Sequence, residues 1–403
     1  MSGLFRQSVN GTSAPRPRPS PITISSESDD HSSSSDSSAS STDSAASINT
    51  LRPSSRYACG GLRSHPTGTS ADPRDREQVA PPTHWTTYFA QELYLDRDDE
   101  KQKARYHVYL TPPTDVKKGL LFICHHGAGA SGLSFALFAQ HVRRKLPNAG
   151  ILSLEARGHG STVTDSSTGE AIADFSLPTL TADALAMITL TKQSMNWPAL
   201  PPSVLVGHSL GGAIITQLAV DYALGNTLIG YSVIDVVEGS ALEALQHMKT
   251  YLHSRPSTFP SIPDAIQWHI RSRTIRNAES AHASVPGLFS ETPSGDFAWR
   301  TDLAATAPYW DEWFTGMSRK FLAGRGAKEL ILAGTDRLDR ELMIGQMQGK
   351  FQLVVVPEAG HFVQEDVPEK TAGLLVEFYR RNDRGAMVLP PKVSDLLAQG
   401  KKV

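Results

Sequence analysis

The run Val204-Leu205-Val206-Gly207-His208-Ser209-Leu210-Gly211-Gly212-Ala213 places a serine between two glycines, after an apolar segment and ahead of a helix-forming one. A serine hydroxyl is a weak nucleophile at neutral pH. It needs a turn that presents it, a base that takes its proton, and donors for the oxyanion that its attack creates. Gly207 and Gly211 supply the turn, because a Cβ at either side would obstruct the sharp reversal that pushes Oγ outward. The helix that follows points its amino terminus at the same spot, where backbone N–H groups favour negative charge. The N–H of Leu210 is therefore one expected oxyanion donor. A second candidate is Ala128 in His125-His126-Gly127-Ala128-Gly129, directly after the apolar run Leu120 to Cys124, where the glycines permit close backbone approach to a bound carbonyl.

Strand, serine turn and helix in this order form the nucleophile elbow of an α/β-hydrolase, whose chain order is serine, acid, histidine, with the histidine between the last strand and the last helix. Fourteen histidines compete for the role of base. His361, in Pro357-Glu358-Ala359-Gly360-His361-Phe362, has the required place, whereas His208 inside the elbow and His159 in Arg157-Gly158-His159-Gly160 do not. Two carboxylates could receive its Nδ1–H: Asp336, after the penultimate strand in Leu332-Ala333-Gly334-Thr335-Asp336, and Asp235, at the end of the strand before it. Spacing leaves both open.

The elements that must position these groups are legible as apolar runs alternating with helical periodicity, the mark of βα units around a mostly parallel sheet with helices on both faces. The runs are Tyr106 to Leu110, Leu120 to Cys124, Ile151 to Leu154, Val204 to Val206, Leu228 to Ile234, Leu330 to Ala333 and Leu353 to Val356. Continuous Val/Ile/Leu character marks the inner ones as buried on both faces, while the alternation in Tyr106 to Leu110 reads as an edge strand. Helices are expected over Phe135 to Leu146, Thr181 to Met195, Ala213 to Leu224, Leu242 to Leu252 and Lys370 to Arg380. The rhythm breaks between 254 and 326, which carries Trp268, Trp299, Trp310 and Trp313 among polar stretches and reads as a helical cap insertion over the site. The core then comprises 81–253 and 327–385.

Residues 1–80 are rich in Ser and Pro, with a serine run from Ser32 to Ser35, and are expected to be a disordered arm; 386–403 reads as a flexible tail. Lys and Arg total 39 against 41 Asp and Glu, a formal charge of -2 that gives no bias toward nucleic acid or an anionic membrane. Cys59 and Cys124 alone cannot make a disulfide framework or a four-cysteine zinc site. No signal-like leader and no run of about 18 apolar residues is present, so a soluble protein of cytoplasm or nucleus is expected.

Several blocks outside the elbow resemble the eukaryotic protein phosphatase methylesterases: Ile234-Asp235-Val236-Val237-Glu238-Gly239, Ser272 to Ser280, Tyr309-Trp310-Asp311-Glu312-Trp313-Phe314, and Asp336-Arg337-Leu338-Asp339 running into Ile344 to Phe351. The resemblance extends from about Trp85 to Arg380 and departs from the family in the short segment between Val285 and Trp299, where members often carry a long charged insert. It implies a serine carboxylesterase that removes the methyl ester from the carboxyl-terminal leucine of the type 2A phosphatase catalytic subunit, releasing methanol, with Asp235 as the acid and no metal or organic cofactor. Two other functions compete: a small-molecule carboxylesterase or lipase with the same triad, and a protein that inhibits the phosphatase by binding it.

Overall fold

The computed structural model describes residues 82–334 and 338–383. The arm expected over 1–80, the tail over 386–403 and the alternative acid Asp336 lie outside the described residues. Strands β1 (Gln91–Asp98), β2 (Gln102–Thr111), β3 (Leu121–His125), β4 (Gly150–Leu154), β5 (Thr162–Asp165), β6 (Ser203–His208) and β7 (Leu228–Ile234) come first. Three short strands follow, β8 (Thr258–Phe259), β9 (Phe289–Glu291) and β10 (Phe297–Trp299), and then β11 (Ala327–Ala333) and β12 (Gln352–Val356). The large sheet has nine strands in the order β1-β2-β4-β3-β6-β7-β11-β12, with β5 pairing to β2. Along the order from β4 to β12 every neighbouring pair is parallel, and the antiparallel pairs of this sheet are β1–β2, β2–β4 and β2–β5.

The continuous apolar runs are explained by where successive residues go. In β3, Leu121 and Ile123 join one buried cluster and Phe122 and Cys124 the other; in β6, Leu205 joins the first, Val204 and Val206 the second. A strand side chain alternates faces at every residue, so a strand covered on both sides needs apolar groups at every position. The helices Leu177–Ser194 and Leu210–Val220 cover the first face, and Ala136–Lys145 and Pro368–Asn382 the second.

The segment Tyr106 to Leu110 is not at the edge. It lies inside β2, whose last six residues are all buried, and β1 forms the border. The alternation that suggested a solvated face has another cause: β1 covers the polar side chains. His107 Nε2 meets Glu92 Oε1 at 2.8 Å, and its ring stacks on Tyr94, its register partner, at 4.6 Å between centroids. β1 itself reads Gln-Glu-Leu-Tyr-Leu-Asp-Arg-Asp, and of its side chains only Leu95 is fully buried, which leaves little apolar pattern to detect.

The interval 254–326 contains strands as well as helices. β8, β10 and β9 form a small antiparallel sheet, and with the helices Ile262–Arg271 and Ala278–Ser284 they enclose Phe259, Ile266, Val285 and Phe289, against which Trp268 and Trp299 pack. Trp310, Trp313, Phe314, Met317 and Phe321 instead belong to the cluster on the first face of the large sheet. The four tryptophans therefore divide between two cores. Among the described residues no helix is long and apolar enough to cross a membrane.

Candidate active site

Ser209 stands between β6 and the helix Leu210–Val220 with φ 51° and ψ −120°, a conformation that costs a non-glycine residue about 1–3 kcal/mol. The surroundings enforce it. A Cβ at Gly207 would stand 2.3 Å from the Gly211 carbonyl oxygen, and one at Gly211 would stand 2.2 Å from that of His125, so the strand, the turn and the neighbouring loop touch backbone to backbone. The Ser209 N–H donates to Ile234 O at 3.0 Å and its carbonyl accepts from Gly212 N–H at 2.7 Å. These bonds hold the turn from both sides.

Asp235 directly follows β7 with φ 52°, a region that Asp enters at lower cost than most residues. Its N–H donates to Ile331 O at 2.7 Å, and the Ala333 N–H donates to its Oδ1 at 2.7 Å. The remaining oxygen, Oδ2, lies 2.8 Å from His361 Nδ1. With Nδ1–H donated to a carboxylate, the neutral ring has Nε2 free to accept a proton. The loop under His361 is tethered as well: the Gly360 N–H donates to Asp366 Oδ2 at 2.7 Å, and His208 Nε2–H donates to the His361 carbonyl at 2.8 Å. The structure therefore brings Asp235 and His361 together, whereas Asp336 is not among the described residues.

Leu210 is the first residue of the helix after Ser209, and its N–H belongs to the amino-terminal turn whose donors have no intrahelical acceptor. On the opposite side the loop after β3 lies against Ser209: a Cβ at Gly127 would be 3.0 Å from Ser209 Cβ. The peptide joining Gly127 to Ala128 is held by its carbonyl, which accepts from His126 Nδ1–H at 2.8 Å and from Ala130 N–H at 3.2 Å. In a trans peptide, N–H and C=O point opposite ways, so fixing the carbonyl fixes the direction of the Ala128 N–H. The next N–H, of Gly129, donates to His159 Nε2 at 2.9 Å.

His125, His126, His159 and His208 are buried, and removal from water pushes the first and third down to about 4 and the other two well below the usual imidazole range. All four are therefore neutral rings with fixed tautomers. His159 is placed by the turn Arg157-Gly158-His159-Gly160, which a buried ion pair secures: Arg157 Nη2 donates to Asp183 Oδ1 at 2.9 Å, and Tyr106 O–H donates to the same oxygen at 2.7 Å. Beneath the loop, burial raises Glu155 to about 8, and its Oε1 accepts from Gly132 N–H at 2.8 Å. Sequence order excluded His159 and His208 from the chemistry and assigned His126 nothing beyond its loop. Their adjacency to the two glycine motifs was the available signal.

The interval 254–326 reaches both loops. Leu303 packs on Gly129, where a Cβ would meet its Cδ1 at 2.6 Å. Arg276 donates from its backbone N–H to Asp366 Oδ1 at 2.7 Å and from Nη1 to Glu358 O at 2.8 Å. Both loops thus contact this interval.

The chain matches the alpha/beta hydrolase family over residues 120–374. Among solved structures, E-2-(acetamidomethylene)succinate hydrolase is similar, with a TM-score of 0.54 at 18% identity, covering 72% of this chain and 100% of that one; at this identity the likeness concerns the fold alone. Relatives named protein phosphatase methylesterase 1 are far closer in sequence. That of Neurospora crassa is 52% identical over 404 residues, covering 89% of this chain and 87% of its own length. That of Aspergillus fumigatus is 58% identical, covering 78% and 76%, and that of Schizosaccharomyces pombe 46% identical, covering 77% and 87%. The chain is a carboxylic ester hydrolase of the α/β-hydrolase fold and belongs to the protein phosphatase methylesterase family.

Proposed function

We propose that this enzyme hydrolyses the methyl ester on the carboxyl-terminal leucine of the catalytic subunit of a type 2A protein phosphatase, through an acyl-enzyme on Ser209. The observation that carries the mechanism is the 2.8 Å contact between His361 Nδ1 and Asp235 Oδ2 beside a serine at φ 51°. His361 Nε2 takes the Ser209 proton as Oγ attacks the ester carbonyl, and the N–H groups of Leu210 and Ala128 hold the oxyanion. The same imidazolium protonates the departing methanol. Water, deprotonated by His361, then attacks the acyl-enzyme and frees the carboxylate, while Asp235 stabilises the charged ring in each step. The segment around Arg276 and Leu303 would shape the protein-binding side of the site.

The test is loss of the methyl group from carboxyl-terminally methylated phosphatase, followed by mass spectrometry. Methyl loss that depends on Ser209 is the expected result. Efficient cleavage of short acyl esters with the methylated phosphatase left intact would point to a small-molecule esterase instead. Inhibition of the phosphatase by Ser209→Ala as strong as by the unsubstituted protein, with no methyl loss from either, would point to an inhibitory binding protein.

A further inference from the structure

The histidine inside the elbow has no step in the reaction, yet it touches three segments that the reaction needs. His208 is the last residue of β6 and is 1% exposed. Because the His361 carbonyl can only accept, His208 Nε2 carries the ring proton and Nδ1 is bare. The His208 ring lies 4.6 Å from that of His361 and 5.0 Å from that of Phe362, centroid to centroid. Its other edge meets the oxyanion-side loop, since a Cβ at Gly127 would stand 2.9 Å from Nδ1. Among the described residues Nδ1 is buried without a hydrogen-bond partner, and the ring's hydrogen bond is directed at His361.

We propose that His208 is a positioning residue that binds the base-bearing loop to the nucleophile elbow and spaces the Gly127–Ala128 segment from Ser209; this rests on the reading of His361 as the base. Asp235 sets the rotation of the His361 ring, whereas His208 sets where the ring is hung. The loop has two tethers on consecutive residues, Gly360 N–H on Asp366 and His361 C=O on His208. Without the second, the point of attachment of the base can drift relative to Ser209 while the contact to Asp235 persists.

The variants His208→Phe, which keeps a buried ring and removes the donor, and His208→Gln, which restores an N–H near the position of Nε2, separate packing from hydrogen bonding. Assayed on a chromogenic small ester, His208→Phe should lower kcat about 10- to 100-fold with KM changed less than about two-fold, and His208→Gln should regain most of the loss. If His208→Phe fails to fold by circular dichroism, His208→Asn replaces it, its shorter amide falling short of the carbonyl. Turnover of the donorless variant within about two-fold of the unsubstituted enzyme, or a glutamine variant no faster than it, overturns the proposal. His361→Asn is measured alongside. If it keeps near-normal turnover, the base assignment fails and takes the proposal with it; if it is inactive while the donorless variant is unimpaired, the role of His208 alone fails.

Discussion

The elbow around Ser209 and the interval 254–326 hold their shapes by opposite means. At the elbow, backbone presses on backbone: extra atoms at Gly207 or Gly211 would approach carbonyl oxygens to 2.3 and 2.2 Å. In the interval, strands of two or three residues are held by interlocking rings of Phe259, Trp268, Phe289 and Trp299, with centroids 4.5 to 6.1 Å apart. A backbone contact has no rotamer with which to yield, whereas ring packing can readjust at modest cost. The serine turn is therefore built on a part that cannot adjust, and the interval that contacts the neighbouring loops on a part that can.

That contrast can be broken or sharpened by substitution. Ser209→Ala should lower turnover by roughly 10⁴ to 10⁶ with the fold intact, and near-normal turnover would remove Ser209 from the mechanism. Asp235→Asn should cost roughly 10⁴ in kcat while Asp336→Asn costs little; the reverse result would move the acid to Asp336. Gly211→Ala, forced against His125 O, should destabilise by about 3 kcal/mol or prevent folding, as read from the urea midpoint. A variant as stable as the original would mean that the elbow yields after all. In the interval, Phe259→Ala should raise KM for methylated phosphatase about ten-fold, a loss of about 1.4 kcal/mol, and leave small-ester turnover nearly unchanged. Equal losses on both substrates would show that the interval supports the catalytic geometry and not protein binding.

The smallest effect is in pH. His125 and His159 have folded-state pKa values lowered by burial to about 4, so the unfolded chain takes up their protons first as pH falls. Their contribution to stability is present above about 6.5, the unfolded value, and is lost on descending from there to about 4. The melting temperature should fall between pH 7 and pH 5. His159→Gln, which keeps an acceptor for the Gly129 N–H, should reduce the slope by at most about 1.4 kcal/mol per pH unit. An unchanged slope would mean that His159 is already charged when folded.

Much of this was legible from residue order. The inner strands announced themselves because burial on both faces demands apolar residues at every position, and the elbow and the loop of His361 because chain order constrains them. Asp235 was not separable from Asp336 by spacing, since both follow neighbouring strands; the bonds of Asp235 from Ala333 N–H and to His361 are tertiary facts that spacing does not carry, and Asp336 lies outside the described residues. β1 escaped notice because its charged face is solvated, and its omission made β2 look like the border. The small sheet in the interval escaped because its strands are too short to show a period. The roles of His126, His159 and His208 depend on which carbonyl or N–H each ring meets, and no one-dimensional pattern encodes that.

The bonds Ser209 N–H to Ile234 O and Asp235 N–H to Ile331 O make Ser209 and Asp235, the proposed nucleophile and acid, successive rungs of one ladder across β6, β7 and β11. Their relative placement is thus a property of sheet register and not of either loop. A slip of one residue between β7 and β11 would disconnect Asp235 from Ala333 and, through the same strand, shift the acceptor of Ser209. Local fraying at the surface leaves that alignment untouched, so on heating the spacing of Ser209 and Asp235 should persist until the sheet itself gives way.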